Sequence, residues 1–523
     1  MGNQVMGTWQ NIGYKLGFQD ADKALLQRSL TYTFLLGLCA HGFGILNLNI
    51  CHDSLFDFYD STLAHQHQIG LGRVLEPLYR EMTASGLLMP WSIGLLAFCW
   101  LGLAVFLVCK LFHISGRMEI FLIAGIMTVN ISVTAIFASY TPWLAADMLA
   151  LLLASGGGYF WYVYTVRHTP KMLVLGALAV FVSMAIYQCY IAVTVVLIIL
   201  LSLQNLVEHG NASKVFRDGL AGIGMITAGG VIYYPFTKVV CKLTQTTLAE
   251  GYYDSMTNLW DNKEPVRMRL LYCLKEGMTH FMSKDENIYP YPIIWAANGI
   301  LFCVCCYLAV RLVKQCHAMR AVGWLLMSGL VAALPFAANM MRLLNPSVHD
   351  LMVYAIWLLY LMPLLLWKWT AQGKSSGKIY SLILVVLSFL VFADVQTNNA
   401  VYVKKETESK ATLALMTEIM AQVHQVEGYV PGKTGVTFIG QVSNVLREVP
   451  GTEPLKGISG CNKSCAITYE GTYQAYFDNV MLQDVKVIWD GSIQEKQEIA
   501  LMPSYPRKGY VKMVDDIVVI KLE

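Results

Sequence analysis

The chain has 523 residues, 56% of them hydrophobic and only 14% charged, with a mean hydropathy of +0.49. Soluble proteins carry about 25% charged residues, so this composition excludes a globule coated in water. The net charge of +3 is too small to mark a nucleic-acid partner.

Taken in chain order, residues 1–28 are polar or amphipathic and read as a cytoplasmic or interfacial segment with no cleavable signal peptide. Within it, 7–27 carries Trp9, Tyr14 and Phe18 as a weak interfacial stripe. Apolar blocks then predict about eleven transmembrane helices, at 29–50, 89–109, 118–139, 143–166, 172–187, 190–207, 219–240, 291–310, 321–340, 350–367 and 378–394. Lys and Arg gather in alternate connections: Lys110 with Arg117, Arg167 with Lys171, Lys214 with Arg217, Arg311 with Lys314 and Arg320, and Lys368 with Lys374 and Lys378. Positive connections stay in the cytoplasm, which predicts the N-terminus inside and the C-terminus outside. Loops 51–88 and 237–290 and a tail domain, 395–523, would then be extracytoplasmic. The tail reads as a small α/β unit, helical over 407–426 with strands at 436–439, 485–489 and 517–522. The fold class is therefore an all-α polytopic membrane protein with a small α/β extracytoplasmic domain. Cys461 and Cys465 lie in that polar tail; no further Cys pair or His completes a zinc site. Outside the cell a disulfide suits them better, with a free thiol pair as the alternative.

The first loop holds most of the candidate chemistry. In His52-Asp53-Ser54-Leu55-Phe56-Asp57-Phe58-Tyr59-Asp60, the three carboxylates stand at i, i+4 and i+7, one face of a helix. A carboxylate at the membrane surface can take the proton of an attacking hydroxyl, although the same spacing more often marks a solvated helix face. Arg73, after Gly72, offers a fork of donors to a phosphate, with snorkelling to the headgroups as the ordinary explanation for it and for Arg80. His65 and His67 suggest a metal together with Asp53, but at i, i+2 they point apart on a helix. Charges inside or beside spans merit a role: Asp147 could face a substrate cavity or pair with a neighbouring helix. Arg342 and His349 could contact phosphate or form an ion pair with Asp350. Two motifs are decoys. Gly428 to Thr434 has three residues between its glycines where a phosphate-binding loop needs four, and Gly156-Gly157-Gly158 reads as a close helix contact.

The run NLNICHDSLFDFYDSTLAHQHQIGLGRVLEPLYR, with ASYTPWLAADMLALLLA, MRLLNPSVHDLMVYAIWLLY and the ending LMPSYPRKGYVKMVDDIVVIKLE, resembles the serotype-converting O-antigen glucosyltransferases and their Gram-positive relatives. The resemblance implies a GT-C type enzyme. Such an enzyme moves glucose from polyprenyl-phosphate-glucose to a surface polysaccharide (O-antigen, teichoic acid or capsule) on the outer face of the cytoplasmic membrane. It places the acceptor-activating carboxylate on Asp53, flanked by His52, and the donor phosphate on Arg73. Some members carry adjacent acidic residues where this chain has a single Asp, so the division of labour among Asp53, Asp57 and Asp60 stays open. A divalent cation is compatible with these carboxylates, but no ligand set is evident. The competing function classes are a transporter or flippase of a lipid-linked sugar and, less well supported by so many spans, a membrane-anchored binding protein. The internal symmetry and broken helices typical of transporters are not clear in the sequence.

Overall fold

Long apolar runs become long helices. In the computed structural model, which describes residues 22–48, 50–58, 62–249, 264–316, 319–345, 348–371, 377–489 and 491–523, eight helices are long and apolar enough to cross a membrane. They are Asp22–Leu46, Pro90–Leu111, Thr141–Arg167, Gln188–His209, Ala212–Leu243, Tyr291–Gln315, Ala321–Ala338 and Lys378–Val423. A ninth is formed if Arg117–Thr128 and Ile131–Ser139, bent by 41° at their junction, count as one span. The bend sits at Asn130, whose side chain caps the second helix by accepting from Val133 N while donating back to Ile126 O. Of the remaining two predicted spans, one forms the shorter helix Pro170–Ile186. The other, predicted over 350–367, is not a regular α-helix at its start. It begins as 3-10 turns, Asp350–Met352 and Tyr354–Leu361, and becomes α-helical only at Met362–Ala371. Pro363 lacks the N–H that would continue a helix from the preceding turn, but fits the first turn of a new one. Asp60, Tyr59 and residues 7–21 lie outside the described residues.

The helices share one apolar core. Asp22–Leu46 packs on Pro90–Leu111, which packs on Leu144–Arg167, which in turn meets Pro170–Ile186. The glycine run in Leu144–Arg167 serves this packing: a methyl group at Gly157 would lie 2.9 Å from Val180 Cγ2 and 3.3 Å from Thr194 Cγ2. Two neighbouring helices thus approach where no side chain stands in the way.

The last helix, Lys378–Val423, runs without interruption for 46 residues, or about 69 Å at 1.5 Å per residue. That is more than twice a hydrocarbon core of about 30 Å. Its apolar first half belongs to the bundle, and its second half carries the tail. There a four-stranded sheet forms in the order β2-β1-β4-β3, with β1 Gly435–Ile439, β2 Lys486–Val487, β3 Val511–Val514 and β4 Ile517–Lys521. β1 lies parallel to both β2 and β4, and β3 pairs antiparallel with β4. The sheet does not stand apart from the first loop. Ile50, Leu55 and Phe58 share one buried cluster with Leu415, Ile419, Val436 and Val518. Asn479 Nδ2 also donates to Leu55 O at 2.6 Å. Burying Leu55 and Phe58 contributes about 1.5–3 kcal/mol each, so the tail holds the loop's conformation.

Candidate functional site

The first loop does not put Asp53 and Asp57 on one helical face; Asp60 lies outside the described residues. Ser54–Asp57 is a 3-10 turn with Asp53 at its N-terminal boundary. At three residues per turn, positions i and i+4 diverge by about 120°. Asp57 turns inward and Asp53 stays accessible, their side chains 3% and 30% exposed. The inward carboxylate ion-pairs with Arg80 and accepts from Trp143 Nε1 at 3.1 Å. Arg80 lies over the Trp143 ring at 4.8 Å and donates to Gly86 O at 2.6 Å. Burial raises the Asp57 carboxyl to about 6, against the opposing pull of Arg80 and Trp143. Asp57 therefore ties the loop together. Arg80, read as a headgroup contact from the sequence, is instead buried in the protein.

Asp53 has a different neighbourhood. Its carboxylate lies 3.3 Å from His52 Nε2, and His52 Nδ1 lies 3.1 Å from Cys51 Sγ. Behind them the buried Lys405 of the long helix donates to Gly460 O at 3.0 Å. Burial alone would raise the Cys51 thiol, but Lys405 and His52 outweigh it and bring it below its ordinary value. Cys51, His52 and Asp53 hold three ligand atoms within 4.8 Å of one another, a set that a cation such as zinc could use. The Lys405 ammonium opposes a cation there. His65 and His67 do not join this group among the described residues; His65 packs on Trp143 at 6.0 Å, with Glu81 3.6 Å away, and His67 faces outward. The expected pair Cys461 and Cys465 stands as two free thiols. Cys461 packs into the bundle core and Cys465 into the tail core, where it donates to Ile467 O.

Arg73 is buried beside this loop. Gly72 reaches φ +84°, which glycine adopts without strain, and its carbonyl accepts from Tyr233 Oη at 3.0 Å. The turn brings Arg73 Nη1 to Gln68 Oε1 at 3.0 Å and its guanidinium over Tyr187 at 4.5 Å. Glu76 and Asp147 are buried in its electrostatic reach. Both Glu76 oxygens and Asp147 Oδ1 lack a hydrogen bond among the described residues. Burial pushes Glu76 well above its ordinary range, with Asp147 adding to the effect and Arg73 opposing it. Sequence reading passed over Glu76. Its signal was a lone acid three residues after Arg73, in a helix pinned at its start by Pro77.

The later candidates lie apart from this group. Arg342 does not pair with Asp350: it donates to Glu276 Oε1 at 2.9 Å and Glu264 Oε2 at 3.2 Å, under Tyr272 at 5.0 Å. Asp350 instead accepts from Ser459 N at 2.9 Å, joining the bundle to the tail. His349 is exposed beside it.

A second acidic cluster was not anticipated. Glu286, His280 and Asp394 line a cavity of about 50 Å³ with Asn298, Trp357 and Tyr360. Burial, with Asp350 and Asp285 adding to it and Ser283 opposing, raises Glu286 to about 8; burial lowers His280 to about 4. A carboxyl raised on folding contributes stability that is full below its unfolded value of 4.5. That stability is lost as pH rises through about 8. Glu286→Gln should therefore flatten the decline in thermal stability across this window. Melting curves of the purified protein at intervals from pH 5 to pH 9 check it, and parallel curves for both proteins would contradict it.

The many apolar helices and the buried charged groups beside them define a membrane protein with a polar site built on its first loop. The profile of the glucosyl transferase GtrII family matches residues 42–364, and the chain belongs to that family. The matched part covers Asp53, Arg73, Asp147, Arg342 and Asp350 and ends before the long last helix. A comparison with curated proteins finds no match.

Proposed function

We propose that this membrane glycosyltransferase moves glucose from polyprenyl-phosphate-glucose to a cell-surface polysaccharide on the outer face of the cytoplasmic membrane. Asp53 is the base and Arg73 the contact for the donor phosphate. The observation that carries the assignment is the contrast within the loop: Asp57 is consumed by Arg80 and Trp143, whereas Asp53 remains accessible beside His52. In the reaction an acceptor hydroxyl attacks the anomeric carbon and its proton passes to Asp53. The bond from that carbon to the phosphate oxygen breaks, and polyprenyl phosphate leaves with the electron pair. A cation at the leaving phosphate stabilises the developing charge. One displacement of this kind inverts the anomeric centre. The positive residues of alternate connections support a cytoplasmic N-terminus and an extracytoplasmic tail, so the loop and tail would meet a lipid carrier at the same surface.

The test supplies glucose labelled on polyprenyl phosphate or on a nucleotide to sealed vesicles, with acceptor polysaccharide outside. Orientation is measured by protease cleavage of the tail. Transfer from the lipid-linked donor, in proportion to accessible tail, is expected. Use of the nucleotide donor alone would overturn the reading, and movement of the intact glycolipid without transfer would point to a transporter.

A further inference from the structure

The acidic cavity of Glu286, His280 and Asp394 opens beside a much larger space. A groove of about 550 Å³ lies between Val266–His280, Tyr291–Gln315 and Ala321–Ala338, and it shares Phe281, Asn298 and Tyr360 with the cavity. Its lining is almost wholly apolar, including Met278, Trp295, Phe302 and Pro335. Tyr291–Gln315 and Ala321–Ala338 are among the least buried spans of the bundle. Only 22% and 28% of their most apolar 18 residues are buried, against 78% for Gln188–His209. Phe302 and Met278 are 70% and 68% exposed, which places the groove where hydrocarbon chains surround the protein.

The polar end has its own chemistry. Trp357 and Tyr360 stack at 5.7 Å and 20°, and His280 meets the Trp357 ring edge-on at 4.9 Å. Tyr360 Oη and the Asn298 amide satisfy each other and Phe281 O. His280 Nε2 is fully buried without a hydrogen-bond partner among the described residues, and the Glu286 and Asp394 carboxyls face the same space. No Lys or Arg is among the described residues that line it. A site with two carboxyls and no cation disfavours a phosphate. It suits hydroxyl groups, which both donate to and accept from carboxyl groups, and a sugar ring, whose C–H face packs on aromatic rings. At about 50 Å³ the cavity holds roughly three or four water-sized groups, the hydroxyl-bearing edge of one sugar.

We propose that the cavity and groove together bind a lipid-anchored saccharide, hydroxyl edge against Glu286, Asp394 and His280, hydrocarbon chain along the groove, as the acceptor's docking site. Naming the occupant the acceptor rests on the transferase reading above, in which the phosphate-bearing donor sits at Arg73. The two places flank the same 3-10 segment: Tyr354 meets Tyr190, whose ring packs on Tyr187 under Arg73, and Trp357 and Tyr360 face the cavity.

The test needs no turnover, so its outcome is separable from that of the transfer assay. The full-length protein in nanodiscs is photolabelled with an alkyl glucoside carrying a diazirine in its chain. Labelling is expected on the peptide containing Phe302. Unlabelled dodecyl glucoside should compete it at least tenfold better than dodecyl phosphate does. Glu286→Gln combined with Asp394→Asn should erase that preference, and Phe302→Ala, at an exposed position, should weaken the labelling itself. Equal or better competition by dodecyl phosphate would overturn the proposal and give the groove to an anionic carrier. Labelling that neither compound competes would assign the groove to bulk bilayer lipid.

Discussion

Arg80→Ala is expected to cost about 3–5 kcal/mol, the loss seen when one partner of a buried ion pair is removed. Both partners are almost wholly buried, with side chains 1% and 3% exposed, so the remaining Asp57 carboxylate would keep, among the described residues, only Trp143 Nε1 as a side-chain donor. Arg80 also closes the end of its own loop helix by donating to Gly86 O, and its guanidinium covers the Trp143 ring. Three segments distant in sequence would thus lose a shared buried contact. A stability range of about 5–15 kcal/mol is ordinary for folded domains, so the yield of monodisperse protein should fall sharply and its melting temperature should drop. The double change Arg80→Met with Asp57→Leu removes both charges and keeps apolar volume, and it should recover most of the loss. Thermal unfolding of the two variants beside the parent checks both. An Arg80→Ala protein as stable as the parent would show that the pair is not structural.

Much of the bundle was legible because a bilayer demands about twenty apolar residues per crossing, and those runs announce themselves. The continuity of Lys378–Val423 was legible in principle: no Gly or Pro occurs between Lys378 and Val423. A change from apolar to charged residues near position 395 marks a change of surroundings, and the helix continues through it. Strands β1, β2 and β4 overlap the predicted runs 436–439, 485–489 and 517–522, whereas β3 interrupts its two valines with Lys512 and Met513 and gave no comparable signal. The site was less legible for a physical reason. Spacing in the first loop suggested three carboxylates on one face, but Asp57 is buried against Arg80, 23 residues on, and Trp143, 86 residues on. No local pattern encodes such partners. The same holds for Glu286, His280 and Asp394, which come from the second loop and the last helix and meet only in the folded chain. The sequence marked Arg342 as a charge beside the membrane; its partners Glu264 and Glu276 belong to a loop far away in the chain.

The second large effect is expected at Asp53. A positioned general base contributes about 10²–10⁴ in rate. Asp53→Asn keeps the size of the side chain and a hydrogen-bonding group for His52 while removing the proton acceptor. Because Asp53 is partly exposed and outside the buried Asp57–Arg80 pair, its loss should spare the fold. Binding of the lipid carrier, assigned to Arg73, should survive as well. The direct measurement is glucosyl transfer from labelled polyprenyl-phosphate-glucose in membranes containing the parent protein or Asp53→Asn, with carrier binding measured on the same samples. The account predicts transfer by the parent, a loss of about 10²–10⁴ in the variant and unchanged carrier binding. Equal transfer rates in the two proteins, or no transfer by the parent with its host's polysaccharide supplied, would contradict it.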